Sequence, residues 1–267
     1  MSLRNTLRSF PTMLRIGVSE AVAYRAELFI WILATTMPLV MMVLWSTVAR
    51  DAPVGRFNER GFVVYFLSAF IVRQLTGNWT AWQMNFDVRQ GTLAMRLLRP
   101  VHPLASYAAE ILAAVPLRIA VAVPVAAAML LSGGKALLPR EPAIWALWVL
   151  SIAFAWLIAF FINCAIGALS FFLESSLKVM DAYLALWFVF SGYTIPVELF
   201  PGALRAVADF LPFRYALGLP IELMTGAHGG VRALELVGIQ ALYVLGTAAL
   251  ALGLWSRGTR RFSAYGG

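Results

Sequence analysis

The sequence predicts an all-α integral membrane protein of six transmembrane helices, and three observations carry that expectation. Of the 267 residues, 61% are hydrophobic and only 13% charged, with a mean hydropathy of +0.79. That is more apolar surface than a soluble core of this length can hide. Apolar runs recur along the chain, and a span needs about 20 residues of such sequence. The loops between them are short and basic, which leaves a single transmembrane domain over residues 1–267 and no room for a soluble catalytic domain.

Residues 1–26 read as a helix lying in a membrane interface. Leu3, Leu7, Phe10, Leu14, Val18 and Ala21 recur at helical spacing opposite Arg8, Thr12, Arg15 and Ser19, with Pro11 as a kink. A frayed basic terminus is the competing reading. No small-residue cleavage site follows, so this is not a secretory leader. The first span is expected over 28–48, introduced by Arg25 and Glu27, with Trp31 and Trp45 at headgroup level. The second, 62–82, carries Arg73 and Gln74 near its middle and Trp79 and Trp82 at its far end. The third, 104–131, contains Glu110, Pro116, Arg118 and Pro124, so a kinked or broken helix is expected.

The fourth span, 143–172, is long enough to tilt. The fifth, 179–194, is cut short by Gly192 and Pro196. Residues 195–226 are apolar but interrupted by Pro196, Pro201, Pro212 and Pro220, and they cannot form one spanning helix. They are expected to dip into the outer leaflet and return, which is tolerated only where protein or water shields the backbone. The sixth span, 234–255, is followed by Arg257, Arg260 and Arg261.

The net charge of +8 does not point to nucleic acid, because the bases are dispersed over loop ends rather than clustered with aromatics. Placing the N-terminus inside puts Arg4, Arg8, Arg15, Arg25, Arg89, Arg96, Arg99, Lys178, Arg257, Arg260 and Arg261 on the cytosolic side. Arg50, Arg56, Arg60, Lys135, Arg140, Arg205, Arg214 and Arg232 then face out, a modest positive-inside bias. Both termini are therefore expected in the cytosol, at the inner membrane.

Catalytic signatures are missing. Gly133-Gly134-Lys135-Ala136 lacks the first glycine and the hydroxyl of a phosphate loop, so ATP hydrolysis by this chain itself is not expected. His102 and His228 fall on opposite sides and cannot share a metal, and lone Cys164 reads as packing. No metal site or bound cofactor is expected. The Asn78-Trp79-Thr80 sequon lies within or near a span and reads as chance. The sharper signals are Arg73 and Arg118, near mid-depth, where each charge costs several kcal/mol unless it faces protein or water. They are candidates for a translocation cavity that attracts an anion. The alternative is structural, each tied to a carboxylate such as Glu110 or to carbonyls freed by Pro116.

One charged island stands out, residues 83–103. Met95, Leu97 and Leu98 sit among Arg89, Arg96 and Arg99, and Pro100 and Pro103 end the segment. A short amphipathic helix there suits a membrane interface or a partner's groove, while a plain solvated loop is the other possibility.

The run Asp87-x-Arg89-x-Gly91-x-Leu93 leading to Leu97-Leu98-Arg99-Pro100 carries a resemblance. So do Tyr193-Thr-Ile-Pro196-Val-Glu-Leu-Phe-Pro201-Gly-x-Leu204, Leu211-Pro212-Phe-Arg-Tyr215 and the closing Arg257-Gly-x-x-Arg261. In this order, over essentially the whole chain, they resemble the ABC-2 type permeases, the branch called ABC-2 family transporter protein. The resemblance implies six spans with an N-terminal interfacial helix, a cytosolic coupling helix and a re-entrant hairpin between spans five and six. It implies export driven by two separate ATPase subunits that carry ATP and Mg, and a second permease subunit, identical or related. Asp87, Arg89, Gly91, Leu97, Arg99 and Pro100 would then lie at the ATPase contact, and Pro196, Pro201, Pro212 and Tyr215 would shape an outer gate. A non-transporting scaffold for an ATPase-linked envelope assembly is the alternative function.

Overall fold

The computed structural model describes residues 3–23, 26, 30, 33, 35–131 and 133–262. Their helices, in chain order, are α1 (Leu3–Ala23), α2 (Met37–Val48), α3 (Glu59–Thr76), α4 (Thr80–Arg89), α5 (Leu93–Leu97) and α6 (Pro103–Ala113). There follow α7 (Val115–Leu131), α8 (Pro142–Ala168), α9 (Ser176–Phe190), α10 (Gly202–Phe210), α11 (Leu219–Met224) and α12 (Gly230–Thr259). Three stretches are long and apolar enough to cross a membrane: Pro103–Leu131, Pro142–Phe171 and Gly230–Thr259. Helix α2 is apolar but has 12 residues. Arg25, Glu27, Leu28 and Trp31, in the first half of the expected first span, lie outside the described residues.

Helix α8 is the centre of the packing. From Pro142 to Ala168 it has no charged residue on any side, and a helix apolar all round belongs in an interior. Half of its most apolar window is buried, against 28% for Pro103–Leu131 and 22% for Gly230–Thr259. Helix α12 lies along it, and α3, α4, α9 and α11 touch it as well. Helix α3 packs between α2 and α7, and its aromatics Phe62, Tyr65 and Phe66 are completely or almost completely buried.

The second apolar run is not the continuous helix over 62–82 that its hydropathy suggested. Helix α3 stops at Thr76 and α4 starts at Thr80, with Gly77-Asn78-Trp79 between them. Gly77 is extended, with ψ 134°, and the Asn78 side-chain oxygen accepts from the Thr80 N–H at 2.9 Å, which starts the next helix. The guanidinium of Arg118 fills the space beside Gly77, where an added Cβ would lie 2.1 Å from Nη1. The third run also divides, at Ala114, because Pro116 has no N–H to offer the Leu112 carbonyl.

Helix α1 docks on α6. Gly17 makes the close approach possible, since a Cβ there would stand 2.7 Å from that of Ala113, and His102 N–H donates to Thr6 Oγ1 at 3.2 Å. Leu7 and Ile16 remain exposed on its free side.

Residues 195–226 form a chain of short pieces, as their prolines require. A 3-10 turn over Val197–Leu199 follows Pro196, α10 follows Pro201, and a π-helical turn over Arg214–Gly218 leads into α11. The turn that enters this stretch is gripped from outside. Trp45 Nε1 donates to the Thr194 carbonyl at 3.0 Å, and Tyr65 Oη donates to that of Gly192 at 2.8 Å. Gly192 holds φ +84°, and Tyr193 donates to the Thr35 carbonyl at 3.2 Å.

Candidate functional site

The island at 83–103 is a helix end, a glycine turn and a five-residue helix, locked by one arginine. Gly91, at φ +75°, reverses the chain between α4 and α5. Arg96 Nε lies 2.7 Å from Asp87 Oδ2, and its two Nη atoms bond the Glu110 carboxylate at 2.6 and 3.3 Å. Its guanidinium stacks over the Tyr107 ring at 4.3 Å. Asp87 also accepts from Tyr107 Oη at 2.6 Å and from Thr92 Oγ1 at 2.8 Å, and Glu110 accepts from Gln83. Burial opposes the charge on Arg96, but the bond to Glu110 and the fields of Glu110 and Asp87 outweigh it and raise its pKa above the ordinary arginine value.

This geometry sorts the expected contact residues. Asp87 is buried with its oxygens turned inward, so it fixes the shape of the island and does not form its outer surface. Leu97 packs into the cluster around Met84, Leu93 and Tyr107. Arg89 turns back to donate to the Leu173 carbonyl beyond α8. Arg99 and Pro100 are exposed, and the apolar groups presented outward are Met95 and Leu98, 66% and 80% exposed. At the start of α6, His102 Nδ1 accepts from the Leu104 N–H at 3.3 Å, and burial pushes the imidazole pKa below its ordinary value.

The two arginines expected near mid-depth separate. Arg73 lines a cavity of about 50 Å³ between α3, α8 and α9, with its guanidinium 5.1 Å from the centre of the Trp187 ring. Arg118 does not line it. It is buried behind the Gly77 break, 4.8 Å over the Trp79 ring, close enough for its charge and that of Arg73 to oppose each other. Among the described residues neither has a carboxylate within ion-pair distance, and Glu110 belongs to Arg96. A helix C-terminus offers Arg73 up to about 2 kcal/mol, and an aromatic face from about 0.5 to about 2 kcal/mol or more when desolvated. Neither ring nor helix end supplies a counter-charge to the guanidinium.

Two asparagines complete the cavity wall. Asn163, 3% exposed, donates through Nδ2 to the Ala159 carbonyl at 2.9 Å, and its Oδ1 has no partner among the described residues. Asn78 Oδ1 accepts from the Thr80 N–H, and its Nδ2 has no partner among the described residues. Neither could be singled out from sequence, since an asparagine within or beside an apolar run carries no mark of which atoms its helix will satisfy. The same holds for Arg96, whose partners Asp87 and Glu110 become visible only once Gly91 folds the chain back.

At the opposite end, Arg214 pairs with both Glu222 oxygens at 3.0 and 2.7 Å and with Asp209, while His228 Nε2 lies 2.8 Å from Glu222. Tyr215 is buried and stacked on Tyr243 at 4.7 Å, and its carbonyl accepts from Gln240 at 2.8 Å. Pro196 and Pro201 start the two short helices that follow them, and Pro212 separates α10 from the π-helical turn. On the surface, Arg56 bridges to Glu198 at 2.6 Å.

The one glycine-lysine sequence that could suggest a phosphate cradle is a 3-10 turn over Gly134–Leu137, with Gly134 packed against Val64 and Met129. An all-helical chain with long apolar spans is a multi-pass membrane protein. More closely, it belongs to the ABC-2 family transporter proteins, whose family model matches residues 21–266. The family makes it a membrane component of an ATP-binding cassette transporter, and the permeases of this family lack ATPase motifs of their own. No curated protein matches the chain.

Proposed function

We propose that the chain is the permease subunit of an exporter in the inner membrane, with six spans, cytosolic termini and a single transmembrane domain over 1–267. Residues 1–26 form the interfacial helix, 83–103 the coupling segment and 195–226 the re-entrant outer segment. Two ATPase subunits, which carry the ATP and Mg, dock on the coupling segment, and a second permease subunit, identical or related, completes the pore. Membrane lipid surrounds it and nucleic acid has no part.

The observation that carries this reading is the island held by Arg96. Met95, Leu98, Arg99 and Pro100 project from a helix whose base is tied through Asp87 and Glu110 to α4 and α6. A charge-locked tip transmits displacement instead of absorbing it, which is what an ATP-driven push requires. Arg89 and Gly91 set its angle. Leu97 anchors it, and Arg73 with Arg118 gives the translocation path its positive field. At the far end, Pro196, Pro201, Pro212 and Tyr215 shape the gate.

The test is reconstitution of the chain with its ABC ATPase subunits. ATP-dependent flux into inverted vesicles, lost with Leu98→Asp, is the expected result. A stable complex without flux for any cargo class would leave the scaffold role instead.

A further inference from the structure

The cavity between α3, α8 and α9 presents a specific set of polar atoms. Arg73 brings a cation stacked on Trp187, and two residues of the wall hold buried atoms without a partner among the described residues: a donor, Asn78 Nδ2, and an acceptor, Asn163 Oδ1. The Asn163 orientation is fixed, because Nδ2 already donates to the Ala159 carbonyl. The site therefore asks for a ligand that is anionic, accepts hydrogen bonds and also donates one. A carboxylate meets the first two demands and fails the third. A phosphate monoester in its singly protonated form meets all three, with P–O⁻ toward Arg73 and Asn78 and P–OH toward Asn163.

Size and surroundings narrow it further. A volume of about 50 Å³ takes a small head group with little space left over. Apart from Thr76, whose hydroxyl donates to the Val72 carbonyl at 2.9 Å, the rest of the wall is apolar or aromatic, with Met180 and Leu184 on one side and Trp82, itself exposed, among the lining residues. The site also adjoins the interruption at Gly77-Asn78-Trp79, and interrupted membrane helices are where transporters commonly build polar sites at depth.

We propose that this cavity binds the phosphate monoester head of an anionic amphiphile, with Arg73, Asn78 and Asn163 as its ligands. The inference rests on the permease reading for its purpose but not for its test, which needs neither ATP nor a partner.

The purified chain in dodecyl maltoside is immobilised, and binding of radiolabelled dodecyl phosphate is measured at equilibrium. Saturable binding is expected, weakened at least tenfold by Arg73→Gln and by Asn163→Leu, and unchanged by the surface control Arg56→Gln. Arg73→Lys keeps the charge but loses the planar stack on Trp187, so it should weaken binding less than Arg73→Gln does. Should Arg73→Gln not elute as folded protein, Asn163→Leu carries the test. Competition by millimolar inorganic phosphate supports the head-group chemistry with the free ion as ligand, and competition by unlabelled dodecyl phosphate alone supports the amphiphile. Equal competition by dodecanoate overturns the phosphate assignment, and equal binding to wild type and to both variants overturns the site. Loss of flux with binding intact would count against the permease reading alone.

Discussion

Arg96 and Asp87 meet at 2.7 Å across the turn made by Gly91, and the same guanidinium holds Glu110 on α6. One side chain therefore closes three helices of the 80–113 region onto each other. An arginine is suited to this, since its planar fork can satisfy two carboxylates at once where a lysine offers a point charge. The lock sits directly beneath the exposed pair Met95 and Leu98, so whatever presses on the tip presses on the lock.

Removing Arg96 leaves two carboxylates facing each other with little solvent. Arg96→Ala is expected to cost about 3 kcal/mol locally, the usual penalty for breaking a buried pair from one side. Hydrogen exchange should show amides of 83–103 losing protection while those of α8 keep theirs. Arg96→Lys should recover part of it. Unchanged exchange across 83–103 would mean the lock is not what holds the island.

Leu97 and Leu98 are adjacent in sequence and opposite in role. Leu98→Asp places a charge in water and should leave the melting temperature within a few degrees while abolishing co-purification with the ATPase. Leu97→Asp buries a charge against Met84 and Leu93 and should lower folded yield sharply. The comparison of yield and partner retention separates the two effects, and the reverse pattern would place the docking surface on the other face.

How much of this the sequence held depends on the range of the interaction. The three long apolar stretches, the division near Pro116 and the broken stretch 195–226 follow from local rules, since hydropathy and proline act within a few residues. The break at Gly77 did not follow, because a single glycine in an apolar run is ordinarily tolerated, and it is Arg118 from another helix that occupies the gap. Asp87 and Leu97 read as contact residues because motifs give positions along the chain and not the direction of a side chain. Direction came from Arg96, whose two acceptors lie 9 and 14 positions away on different helices.

His102 gives the island a pH dependence. Its pKa lies below the ordinary value of 6.5, so the neutral ring is the form the fold prefers. A depressed folded pKa contributes stability fully above pH 6.5, and that contribution declines as pH falls toward and through the folded value. Protonation also ends the bond from Leu104 N–H to Nδ1, the cap of α6. Melting curves between pH 8 and 5 should therefore fall less steeply for His102→Asn, which can still cap but does not titrate. Parallel curves would remove His102 from the account.

At the opposite end, the turn after α9 depends on Gly192 for two separate reasons. Its φ of +84° costs a residue with a Cβ about 1–2 kcal/mol, and that Cβ would stand 2.7 Å from the Tyr65 hydroxyl. Gly192→Ala should therefore strain the backbone and displace Tyr65 from the Gly192 carbonyl, for a total of about 3 kcal/mol. Tyr65→Phe removes only the hydroxyl and leaves the carbonyl unpaired, about 1–2 kcal/mol. Because both changes break the same bond, their effects should fall short of additive. In the Gly192→Ala background, Tyr65→Phe should cost little or even relieve the crowding. Melting temperatures of the four proteins in detergent decide it, and strictly additive losses would show that Tyr65 and Gly192 are not coupled.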